Sequence, residues 1–72
     1  MSTLDADLLA AHAAEDARAL VRLYTQAAVE AEDEDAAGFY LTHAYVYALE
    51  TGDTAALALR ERLIAMGRET RG

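Results

Sequence analysis

The chain has 72 residues and no cysteine, enough for one domain whose core buries only about 60% of the surface its unfolded form exposes, with no disulfide or thiolate metal site to staple it. Its net charge is −7, from 13 acidic residues against six basic ones that are all arginine. That balance repels phosphate backbones and anionic lipid, which argues against nucleic acid and membrane as partners.

Eighteen alanines and no proline favour close-packed helices, and β-branched residues never alternate with polar ones over a strand length. Taken in chain order, Ser2 or Thr3 caps a first helix from about Leu4, with Asp5 and Asp7 where the helix dipole favours acids. A second start signal stands at Glu15 and Asp16, but no glycine or proline forces a break, so one long helix and two short ones both fit the first 31 residues. The second segment carries Leu20, Leu23, Tyr24, Ala27, Ala28 and Ala31 as one stripe with Val21 beside it, and Arg18, Arg22 and Glu30 opposite. The acidic run Glu30 to Asp35 predicts a break, because acids oppose the dipole at a helix C-terminus and suit the next N-terminus. Helix three then runs from about Asp35 to Thr51, where Gly52 supplies a left-handed terminator and Asp53 or Thr54 caps helix four. Helix four buries Ala56, Leu59, Leu63 and Met66, with Leu57 and Ile64 alongside, and ends at Gly67. Residues 68–72 are expected to be mobile.

The fold class expected is all-α: four helices in two helical hairpins, or a three-helix bundle if the first two segments fuse. The two halves overlay, Leu4 on Leu41, Ala11 on Ala48, Asp16 on Asp53, Ala19 on Ala56, Leu20 on Leu57 and Ala28 on Ala65. With Leu20, Tyr24 and Ala27 standing where a repeat's second helix carries Ala, an aromatic and Ala, the chain resembles a tetratricopeptide-like (TPR-like) helical repeat of roughly 34 residues. That resemblance implies a packed helical scaffold that recognises partners rather than an enzyme.

The residues agree on the second point. There is no cysteine or lysine nucleophile, and the one serine is Ser2, so covalent catalysis is unsupported and no enzyme is expected. His12 and Asp16 are four apart and would share a metal only on a continuous helix, and two ligands do not make a specific site; no metal site and no cofactor are expected. The run DEDAAG has the opening of a calcium loop, but Ala37 and Ala44 stand where carboxylates are required.

The stretch FYLTHAYVYALE is the most informative. On a helix, Phe39, Tyr40, His43, Tyr47 and Glu50 share one arc of about 120° with Val46, while alanines and leucines fill most of the remainder. A helix apolar nearly all round is buried on more than one side, so helix three is expected to be the central element and to meet a second chain. Phe39, Tyr40, His43, Tyr47 and Glu50 are therefore the interface or ligand candidates. The function expected is a non-enzymatic protein–protein interaction module that homodimerises through residues 35–51. The alternative is a small-ligand or metal-responsive regulator using the His43, Tyr47 and Glu50 face. Residues 1–53 hold eleven acids against Arg18 and Arg22, a balance of −9, which suits a protein partner with a basic surface. No membrane span and no signal peptide are apparent, so a cytoplasmic location is expected. Abundant alanine and arginine without lysine fit a GC-rich bacterial genome.

Overall fold

The computed structural model describes residues 3–69, which form four helices and no strand: α1 (Thr3–Ala13), α2 (Ala17–Glu30), α3 (Glu34–Thr51) and α4 (Ala55–Ala65). The all-α expectation therefore holds in its four-helix form. The caps at Ser2 and the tail positions Thr70 to Gly72 lie outside the described residues. Within them, Arg68 carries a side-chain ion pair to Asp35 and Glu69 is also engaged.

The chain breaks between α1 and α2 without a glycine. Glu15 adopts φ 53, the left-handed region. Its N–H donates to the His12 carbonyl at 3.1 Å and the Asp16 N–H donates to the Ala11 carbonyl at 3.0 Å, the paired bonds that close a helix C-terminus on a left-handed residue. Asp16 then caps α2, its Oδ1 accepting from the Ala19 N–H at 3.1 Å. This break excludes the fused three-helix form and puts His12 and Asp16 on different helices.

The other boundaries follow the cap residues. Asp33 accepts from the Ala36 N–H at 2.7 Å to start α3. Gly52, at φ 66, ends it with bonds to the same pattern of carbonyls, Leu49 from Gly52 and Ala48 from Asp53. Asp53 supplies the capping side chain for α4, bonding the Ala55 N–H at 2.9 Å, while Thr54 makes no side-chain cap.

The helices lie side by side in one layer, with Cα extents of 36 × 29 × 12 Å. Among the described residues α1 packs on α2, α2 on α3 and α3 on α4, and no other helix pair brings its backbones close. Two apolar clusters fill the seams. Val21, Ala28, Leu41, Ala44, Ala48, Leu59 and Leu63 join α2, α3 and α4, while Ala11, Leu20 and Leu23 join α1 to α2. Ala44 and Ala48 let the helix backbones approach closely. Leu41 and Leu63 are the largest fully buried side chains, each contributing about 1.5–3 kcal/mol of burial.

Helix α3 is central in the seam with α2 and α4, as its composition predicts. Among the described residues α3 is the one helix whose backbone α4 approaches closely, and Leu57, expected beside the buried face, is 74% exposed. None of the described helices is long and apolar enough to cross a membrane.

The α4 end is tied back to α3. The Arg68 side chain lies over Gly38, where an added Cβ would overlap its Nε, Cδ and Cζ. Its Nη2 reaches Asp35 Oδ1 at 2.5 Å and the Glu34 carbonyl at 3.4 Å. Gly38 is buried for that reason: its missing side chain is the seat of an arginine.

Candidate functional site

The arc of α3 divides when folded. Tyr40, His43 and Tyr47 turn toward α2 and meet Tyr24, whose ring lies 6.2 Å from that of Tyr40, 5.0 Å from His43 and 6.0 Å from Tyr47, the last pair parallel within 8°. Such offset stacking suits aromatic quadrupoles and holds the α2–α3 seam. Phe39 sits outside this cluster, 57% exposed, with its ring 4.4 Å from His43 and edge-on to Tyr40. Glu50 is exposed at the far end of α3 and lines a cavity of about 190 Å³ with His12, Glu15 and Tyr47. Of the five candidates, three converge on Tyr24, while Phe39 and Glu50 face other surroundings.

Tyr24 and His12 are the members that helical periodicity within α3 does not show. Tyr24 Oη and His12 Nε2 lie 2.8 Å apart, and the His12 ring also meets Tyr47 edge-on at 6.1 Å. Burial, with the neighbouring Tyr47 and Tyr40 hydroxyls, raises the Tyr24 pKa above its ordinary 10.0, because the phenolate is the form that loses solvation. The raised pKa keeps the phenol protonated, so its Oη–H can donate to His12 Nε2. A signal for Tyr24 does exist in the sequence: an antiparallel hairpin turning at Ala31 to Asp33 sets Tyr24 opposite Tyr40.

His43 is oriented by its own helix. Its Nδ1–H donates to the Phe39 carbonyl at 2.9 Å, which fixes the ring against its own helix. A cavity of about 190 Å³ opens beside it between Thr42, Val46 and Tyr47. Glu50 does not line that cavity, so the three residues of the expected His43, Tyr47 and Glu50 face share no single opening. Among the described residues no three or more His, Asp or Glu side chains cluster as metal ligands do. The DEDAAG run is the α2–α3 connection and the first turn of α3, where its acids cap and complement the helix N-terminus.

No family model, curated protein or solved structure matches this chain. Two surfaces of the described residues bear on what it can do. One is the outward stripe of α3. The other is the aromatic face where α1, α2 and α3 meet.

Proposed function

We propose that this protein is a non-enzymatic helical protein–protein interaction module that forms a homodimer through α3. One observation carries the reading: Phe39, Val46 and Leu49 stand on the solvent side of α3 with 57%, 46% and 57% of their surface exposed. Spaced by seven and three residues, they form one stripe along a helix about 27 Å long. About half of each side chain is left uncovered by the described residues. A stripe of this kind on the central helix is a cost to an isolated molecule and a seam for a second copy. Tandem hairpins joined through α2 and α3 support the tetratricopeptide-like reading of Leu20, Tyr24 and Ala27, and the cytoplasm is the proposed setting.

Replacing Val46 and Leu49 by glutamate tests the dimer. Light scattering over a micromolar dilution series should give a dimer for the native chain, with a melting temperature that rises with concentration, and a monomer of unchanged helicity for the variant. A native chain that is monomeric across the series, with a concentration-independent melting temperature, refutes the reading.

The second reading, a small-ligand or metal-responsive regulator, is supported by the cavity that His43 lines with Thr42, Val46 and Tyr47. A thermal-shift screen with metals and metabolites addresses it. Stabilisation that disappears in His43→Phe/Tyr47→Phe supports the regulator, and stabilisation by none of them removes it.

A further inference from the structure

Helices α1 and α3 both pack on α2 and, among the described residues, have no close backbone approach to each other, touching through the His12 and Tyr47 rings, so they stand as two walls above it. The walls carry Leu4, Leu8 and His12 on α1 and Tyr40 and Tyr47 on α3, and the floor carries Leu20, Tyr24 and Ala27 of α2. Two cavities open along this trough, each lined by all three helices. One, of about 330 Å³, lies where α1 and α3 begin. The other, of about 190 Å³, lies where they end. The His12–Tyr24 hydrogen bond and the Tyr47 ring divide them. The α1–α2 cavity on the opposite face involves no part of α3, so the layer is concave on the tyrosine side.

Charge at the trough is of one sign. Asp5, Glu30, Glu32 and Asp33 border the larger cavity, Glu15 and Glu50 the smaller, and no arginine lines either. The lining between these ends is apolar and aromatic. Three antiparallel helices with α1 and α3 held apart leave the fourth position of a bundle open, and a helix lying there would bury its apolar face on Leu8, Tyr40 and Tyr47.

We propose that this trough receives a basic amphipathic helix of a partner protein. Two large apolar side chains enter the two cavities and Lys or Arg at both ends of the helix meet the acidic borders. The cavity centres are separated by about eight residues along α1 and eleven along α3, roughly 12–17 Å at 1.5 Å per residue. The partner's anchors are therefore two to three turns apart, at i and i+7 or i and i+11. Helix-in-groove recognition supplies the apolar term, and the carboxylates set orientation and on-rate. This surface is separate from the Phe39, Val46 and Leu49 stripe, so it stands or falls independently of the dimer.

The test uses the full chain and synthetic alanine-based helical peptides with lysines at both ends and a leucine and a tryptophan anchor placed seven or eleven residues apart. The protein has no tryptophan, so the peptide's fluorescence reports binding. One anchored, lysine-flanked peptide should bind at least tenfold tighter than the same peptide with glutamate flanks, and than the lysine peptide with serine anchors. Raising salt from 50 mM to 0.5 M should weaken it about tenfold or more. Glu32→Lys/Glu50→Lys should weaken it at least tenfold, and Val46→Glu/Leu49→Glu should not. Amide NMR shifts should centre on Leu8, Ala27, Tyr40 and Tyr47. The proposal is overturned by no binding at millimolar peptide, by equal binding of either control, or by shifts centred on Phe39, Val46 and Leu49. Dilution-dependent shifts at the trough without peptide would assign it to a second copy, and overturn it equally.

Discussion

Glu15 offers a quantitative test of how α1 is separated from α2. It is the one non-glycine described residue with positive φ, at 53°, and it occupies the position that Gly52 and Gly67 fill at the ends of α3 and α4. An L-residue in the left-handed region costs about 1–2 kcal/mol. Glycine removes that cost and adds about 0.5–1 kcal/mol of unfolded-chain freedom, so Glu15→Gly should gain roughly 0.5–1 kcal/mol. For a domain of this size that raises the melting temperature by about 2–8 °C. Thermal and urea unfolding followed by circular dichroism, at one fixed protein concentration, measure it. Glu15→Ala removes the same charge and keeps the strained backbone, so it should stay within about 0.5 kcal/mol of the native chain. If Glu15→Gly is no more stable than Glu15→Ala, the left-handed position does not carry the cost, and the account of the α1–α2 break is wrong.

Three further outcomes are expected. Leu63→Ala should cost about 2–5 kcal/mol, a large fraction of the stability of so small a domain, and urea denaturation should show a lowered midpoint with an unchanged m-value. Alkaline pH should destabilise the fold. Tyr24 has its pKa raised on folding, so its contribution is complete below its unfolded value of 10.0 and is lost as pH rises through the folded one. With no lysine or cysteine in the chain, alkaline unfolding should report Tyr24, and Tyr24→Phe should flatten the fall above pH 10.0. Finally, Gly38→Ala should gain about 1 kcal/mol of helix propensity in an Arg68→Ala background and measurably less in the native one, where the new Cβ must displace the arginine. A double-mutant cycle by urea denaturation that shows no coupling would refute that seat. The loss of the ion pair contributes little to the result, because Asp35 is 96% exposed.

The sequence was most legible where local chemistry decides structure. Gly52 and Asp53 act as backbone freedom and side chain predict, so the end of α3 and the start of α4 fall where expected, while the acidic run marks the α2–α3 break without singling out Asp33 as the cap. Glu15 defeats the same reasoning, since nothing about a glutamate announces a left-handed backbone. Periodicity correctly drew the buried face of α2. It misplaced Leu57, because a helix pattern marks which residues share a face and not whether a neighbour exists to cover it. The candidate site shows the same boundary. The angular relation of Tyr40, His43 and Tyr47 is a property of one helix and could be read directly, whereas their meeting with Tyr24 and His12 depends on how three helices pair. Phe39 and Glu50 left the cluster for the same reason: an arc of about 120° is wider than one neighbouring helix covers.

The order of packing, α1 on α2, α2 on α3 and α3 on α4, has a kinetic consequence. Every native helix pairing joins segments adjacent in the chain, so no long loop must close before a contact is rewarded. Topologies this local fold in microseconds to milliseconds, and their ends can open without unravelling the middle. Helix α1 is held by the small cluster of Ala11, Leu20 and Leu23 and by His12, so it should show the fastest amide exchange of the four. The wall of the trough that a partner would grip is thus also the element most free to swing aside and admit it.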